Sequence, residues 1–196
     1  MGLEPNTAGD FPEIAPTAYV HHTATLIGNV SVEDKAFVGP HAVLRADELG
    51  ADGTVWPVVV CEGANVQDCV VVHALGGTGV RIGANSSVAH AAVVHGPCEI
   101  GADCFVGFGS VVFNATLVRG VIVMHHALVE GVTVPPGLCV PSMTPVRCVE
   151  DVRRLAPATP AMVAFAKKVS RTNVLLAEAA FDAGRQLSRR LTEGSL

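Results

Sequence analysis

A six-residue apolar period dominates this sequence. Counting from Val20, each sixth position is apolar: Leu26, Val32, Val38 and Leu44. The count resumes at Val60, Val66 and Val72. It resumes again at Ile82, running through Val88, Val94, Ile100, Val106, Val112 and Val118, and a last time over Leu128, Val134, Val140 and Val146. Four residues after an anchor the side chain is usually small, as at Ala24, Ala36, Ala64, Ser86, Ala92, Cys98 and Ser110. An alternating strand has a period of two and a helix one of about 3.6, so neither explains the pattern. A strict six does. Each hexapeptide forms one short strand and a corner, three make a triangular coil, and the anchors stack inward at about 4.8 Å per coil. Such a core needs small β-formers rather than rings. The chain is 49% hydrophobic by composition yet has one Trp, one Tyr and seven Phe.

Two interruptions break the count, and both are expected to leave the coil as loops: "LGADGTVWP" at 49–57 and "GGTG" at 76–79. The period then changes in the tail. Thr159-Pro160 reads as an N-cap followed by Pro at the first helical position. Met162, Phe165, Val169, Leu176 and Ala180 then fall on one helical face, with Asn173 among them. The expected organisation is an N-terminal extension (1–17), a β-helix domain (18–148) and a C-terminal helical segment packed on it (149–192).

The coil register places the histidines. His73 and His95 each directly follow an anchor and lie 22 residues apart, which is one coil once the four-residue loop is removed. They therefore stack on one face, side chains outward, close enough to share a metal. His90 comes one face earlier and cannot reach the same point on a rigid rod. Packing of rods about a threefold axis would bring His90 of one chain to His73 and His95 of the next. Arg45 shares the column of His73 and His95, and Asp68 lies below His90, so an Arg45–Asp68 pair across the same interface is expected. Asn65, Gln67, Asp47 and Glu48 fall on nearby coils. His21, His22, His41, His125 and His126 read as solvent-facing.

Other classes find little support. A net charge of −5 offers no basic footprint for nucleic acid. No apolar run reaches the roughly 20 residues of a membrane span. The N-terminus has no signal-peptide pattern, and Asn6 breaks the myristoylation pattern; a cytoplasmic protein is expected. The six cysteines contain no C-x-x-C and read as small buried hydrophobes.

At these residues the sequence resembles the γ-class carbonic anhydrases. The matching pieces are "RADE" (45–48), "NVQD" (65–68), His73, "AHAAVVHG" (89–96), "FVGFGSVVFNA" (105–115), "VPPGLCVPS" (134–142) and the long C-terminal helix. The resemblance is strong to the carboxysomal members, which form the amino-terminal domain of a carboxysome assembly protein. The small-subunit-like repeats that follow there are not in this sequence, so no Rubisco-scaffolding role is expected. The resemblance implies a left-handed β-helix, a homotrimer, and Zn2+, one per chain, with Fe2+ or Co2+ as alternatives. It makes His73 and His95 ligands from one subunit and His90 the ligand from its neighbour. It makes Gln67 the residue that orients water, with Asn65 beside it, Glu48 an acid lining the site and Asn173 a helix residue reaching it. Arg45, Asp47 and Asp68 become the interfacial salt-bridge network.

The implied activity is reversible hydration of CO2 to bicarbonate. Two departures bear on it. The loop after His73, "ALGGTG", has no carboxylate where the family's archaeal archetype carries a proton-shuttle glutamate. Arg171 replaces a tyrosine two residues before Asn173. Two other readings remain: a catalytically silent trimer locked by zinc, and a hexapeptide acyltransferase with one histidine as base and a groove for coenzyme A.

Overall fold

The computed structural model describes the backbone of residues 2–193 and side chains through 183. It is mainly β, a parallel β-solenoid of about 7 turns carrying a C-terminal helix. Three faces stack. The first carries Thr25–Gly28, Val43–Ala46, Val71–Ala74 and the start of Val93–Ile100. The second carries Val30–Val32, Val58–Val60 and Val80–Ile82. The third carries Phe37–Val38, Asn65–Val66, Ser87–Val88 and Phe105–Val106. Parallel pairing locks one coil to the next, as in Leu26↔Leu44, Leu44↔Val72 and Val72↔Val94 on the first face. Leu26, Leu44, Val66, Val72, Val88 and Val94 are fully buried, so the period-six anchors form the core. The two interruptions leave the coil without breaking its register: Val32 pairs with Val60 across the first and Val60 with Ile82 across the second.

The period shortens in the last coils. Ile100 pairs with Leu117 and Leu117 with Val134, so Leu117 is the inward anchor and Val118 is not. Val129 likewise takes the inward place expected for Leu128. The cause is a tighter corner. Asn114 (φ 47°) and Gly131 (φ 68°) occupy the left-handed region at equivalent places in successive coils. Asn tolerates that region and Gly enters it without a Cβ penalty, so the chain turns in one residue fewer. A count of six steps over both corners without noticing them.

The segment expected as an N-terminal extension contributes to the stack: Gly2–Glu4 pairs with Thr25–Ile27, and Glu13–Ile14 with Ser31–Val32. After the last coil come a short helix α1 (Val149–Arg153), an antiparallel strand Ala156–Pro157 and the long helix α2 (Pro160–Glu193). The Thr159 hydroxyl accepts from the Met162 N–H at 3.3 Å, the cap its sequence suggests. Helix α2 runs back along the third face. Its buried stripe is Ala166, Ser170, Asn173 and Ala177, whereas Phe165 and Leu176, expected on that face, are 48% and 50% exposed. Small residues let the helix lie close on the sheet and rotate the bulky ones outward. Cys61, Cys98, Cys104 and Cys139 are buried as expected, but Cys69 and Cys148 are exposed. No helix among the described residues is long and apolar enough to cross a membrane.

Candidate metal centre

His73 and His95 are direct register partners on the first face, with Arg45 next in the same ladder. A strand places alternate side chains on one side, so the inward Val72 and Val94 fix both imidazoles outward. His73 Nδ1 faces His95 Nε2 at 3.1 Å. The other ring nitrogens are engaged. His73 Nε2 lies 3.1 Å from Asp47 Oδ1, and His95 Nδ1 lies 3.2 Å from the Gly96 carbonyl oxygen. A carboxylate and a carbonyl can only accept from a neutral imidazole. When both rings are neutral and donate outward, the two facing nitrogens both present lone pairs. Facing lone pairs repel unless a cation sits between them. Tetrahedral zinc at its usual Zn–N distance holds two ligand nitrogens about 3.3 Å apart. The donor set thus fits the zinc that the family resemblance implies, down to the carboxylate and carbonyl that orient metal-binding imidazoles.

Asp47 joins this half-site together. Its Oδ2 accepts from Arg45 Nε at 3.0 Å and from the second guanidinium nitrogen at 2.9 Å, while Oδ1 serves His73. Glu48 Oε1 is 3.5 Å from His73 Nε2, and its Oε2 accepts from the Gly76 N–H at 3.0 Å. Glu48 therefore ties the "GGTG" loop to the site. Phe113 sets its edge against His95 at 5.5 Å between ring centres.

His90 lies elsewhere, on the corner between third and first faces, where Ala91 turns the chain at φ 58°. Its Nδ1 is 3.5 Å from Asp68 Oδ2, and its ring stacks on Phe108 at 5.5 Å. Among the described residues of one chain, no three His, Cys, Asp or Glu side chains form a group able to hold a metal ion. The site residues divide into two half-sites. Arg45, Asp47, Glu48, His73 and His95 stand on the first face. His90 shares a cleft of about 290 Å³ with Gln67 and Asn173. Asn65 is buried behind Gln67. Ser87 Oγ accepts from Asn65 Nδ2 at 2.7 Å, and Asn65 Oδ1 accepts from Gln67 Nε2 at 3.1 Å. This chain of donors fixes the Gln67 amide and leaves its carbonyl oxygen to accept. Asn173 Nδ2 donates to the Val169 carbonyl at 3.0 Å, which frees its oxygen too. Arg45 is paired within its own chain to Asp47, and Asp68 to His90.

The sequence reading missed the apolar walls. Phe105 and Phe108 close the cleft from the coil, and Phe165 and Val169 from α2. Lys168 and Thr172 also face it. Positions 165, 168, 169, 172 and 173 are one stripe at helical spacing, so Asn173 was a signal that could have found the others. His125, expected in solvent, stacks on Phe108 at 4.4 Å and accepts its N–H at 3.1 Å.

Residues 79–114 match the family model described as bacterial transferase hexapeptide (six repeats). That stretch lies within the solenoid's period-six coils. The chain is 42% identical to a carboxysome assembly protein CcmM of Synechocystis over 67% of its own length and 20% of that protein's. It is 33% identical to a carbonic anhydrase of Methanosarcina thermophila over 67% of its length and 58% of the relative's. Both relatives are thus spanned for less than two thirds of their length. A solved hexapeptide transferase family protein from Anaplasma phagocytophilum superposes with a TM-score of 0.74 at 25% identity, covering 91% of this chain and 97% of that one.

Proposed function

We propose that this protein hydrates CO2 reversibly to bicarbonate in the cytoplasm, at a zinc ion shared between neighbouring chains of a homotrimer. One observation carries the reading: His73 Nδ1 and His95 Nε2 face each other 3.1 Å apart, while the third histidine of the resemblance, His90, stands on another corner. The Methanosarcina relative, named a carbonic anhydrase, supports it. His73 and His95 of one chain and His90 of the next would hold the zinc. Zinc so held supplies a Lewis acid that makes water a nucleophile near neutral pH.

The protein's own residues do the rest. The Gln67 carbonyl oxygen accepts a hydrogen bond from the attacking water and turns a lone pair toward the substrate. Phe105, Phe108, Phe165 and Val169 offer CO2 an apolar surface and keep competing water out. Glu48, half-exposed beside His73, stands where a released proton can pass to buffer. The test is metal content and CO2 hydration on one preparation. The reading expects one zinc per chain and hydration that disappears, with the zinc, in His90→Ala. Zinc-loaded trimer without hydration would leave a silent, metal-locked assembly in its place.

A second reading, acyl transfer, is favoured by the matched family's description and the Anaplasma structure's name. A groove of about 720 Å³ lies on the second face beside Trp56, Arg81 and Glu99. Arg81 is 3.8 Å from Glu99, and among the described residues no other cation lines the groove. A ligand as rich in phosphate as coenzyme A calls for more unpaired positive charge than this. Titration with coenzyme A separates the readings.

A further inference from the structure

The groove on the second face is unused by the hydration reading. None of its walls belongs to either half-site, and α2 lies against the third face instead. Its floor is a ladder of outward side chains. Arg81 is the register partner of Glu99, Glu99 of Thr116, and Thr116 of Thr133. Three coil steps of about 4.8 Å make this polar row roughly 14 Å long. The loop at 49–57 brings Trp56 to the Arg81 end, just before Val58–Val60, and the indole is 52% exposed there. Asn114 stands on the rim at its tight corner. Among the described residues, the side chains of Arg81, Glu99, Asn114, Thr116 and Thr133 make no hydrogen bond. The 3.8 Å between Arg81 and Glu99 is too long for one.

These groups define the ligand they can take. The indole offers a flat apolar surface. The row offers guanidinium donors, carboxylate acceptors, and amide and hydroxyl groups that do both. Arg81 and Glu99 are the only ionised side chains among the described walls, so the groove has no net charge with which to hold a phosphate or carboxylate. Its floor is paired on both sides, as Val80–Ile82 is to Val58–Val60 and to Val93–Ile100, so no strand edge is open to a peptide. A pyranose ring suits both parts. Its C–H face packs on an aromatic ring, and its neighbouring hydroxyls each donate and accept. Linked rings repeat those groups at close to the coil step. We infer that this groove binds a neutral oligosaccharide, with one ring on Trp56 and the following hydroxyls on Arg81, Glu99 and the threonines. Its volume, about 720 Å³, falls within the roughly 300–1,000 Å³ of small-molecule sites. The inference is independent of zinc and of hydration.

Trp56 is the chain's one tryptophan, so its emission reports on the groove directly. The purified protein is titrated with cellotriose, maltotriose and triacetylchitotriose. At least one of them should shift the emission to the blue and saturate. Calorimetry with that sugar then compares variants. Trp56→Ala should abolish the heat of binding and Trp56→Phe, which keeps an aromatic face, should retain most of it. Glu99→Ala removes a hydrogen bond to a charged group and should weaken binding about tenfold or more. Trp56 and Glu99 are exposed, so zinc content and thermal midpoint should match wild type in all three variants. Emission unmoved by all three sugars would overturn the inference, as would a heat of binding that survives Trp56→Ala. A shift with coenzyme A and none with the sugars would give the groove to acyl transfer instead.

Discussion

Asp47 does more than its place in a salt-bridge network suggested. It accepts from Arg45 through one oxygen and meets His73 Nε2 through the other, and so holds the angle of the imidazole that faces His95. Removing such an orienting partner typically costs about 10- to 100-fold in metal affinity. Asp47→Ala is therefore expected to weaken zinc binding by that factor while keeping all three histidines, read by competition with a chelating indicator. Unchanged affinity would mean that the His73–Asp47 hydrogen bond does not orient the ligand. Glu48 allows a second test. The loop "ALGGTG" carries no acid, so hydration should depend strongly on buffer concentration. Glu48→Gln should lose turnover at low buffer and recover it at high buffer with zinc content equal. The Gly76 N–H bond provides the contrary outcome: if Glu48 only ties the loop, the two proteins run at equal rates at every buffer strength. The sequence showed that Glu48 is near the site, through its coil position. It could not show the bond to the loop, because a backbone N–H donor leaves no trace in residue type.

At the scale of the element, the solenoid was legible because one inward residue in six must be apolar in every coil, a constraint repeated along most of the chain. The insertions at 49–57 and 76–79 were legible for the same reason, since the count of six breaks after Leu44 and Val72 and starts afresh at Val60 and Ile82. The five-residue corners at Asn114 and Gly131 were not. Val118 and Leu128 are as apolar as the true anchors Leu117 and Val129, and only the left-handed backbone at the corner distinguishes them. The corrected register can be measured. Leu117 is fully buried, and Leu→Ala in such a place costs about 2–5 kcal/mol. Val118 lies outside the core, so Val118→Ala should cost well under that, both read from denaturant midpoints. The reverse order would restore the strict period. The helix face was misjudged for a related reason. Small side chains, Ala166, Ser170 and Ala177, mark where α2 meets the sheet, and an apolar-moment reading favours larger ones. Burial also decides the thiols. It pushes Cys98 and Cys104 up to about 11, so both stay neutral at ordinary pH, and a neutral thiol is a poor nucleophile. Brief iodoacetamide treatment of the native protein should label no more than Cys69 and Cys148 by peptide mass. Labelling of Cys98 or Cys104 would show that the coil opens there.

At the scale of the whole molecule, the proposed site exists only as an assembly. The chain places its half-sites on different faces of one rod, and each carries charge that the proposed interface would share with a neighbour: Arg45 beside Asp47 and His73, and Asp68 beside His90. Arg45→Ala should shift the protein toward monomer in sedimentation, because an interfacial carboxylate left without its cation costs about 3–5 kcal/mol once buried. The most direct test mixes two defective chains. His73→Ala retains the His90 corner, and His90→Ala retains the first-face pair, so neither alone can complete a site. Unfolded together in equal amounts and refolded, they form mixed trimers in which each site draws one half from each of two chains, and about a quarter of the sites are whole. Zinc measured on the refolded mixture should return to about a quarter of the wild-type content, with hydration in proportion. A mixture as empty as its two parents, though trimeric, would contradict a site shared between chains.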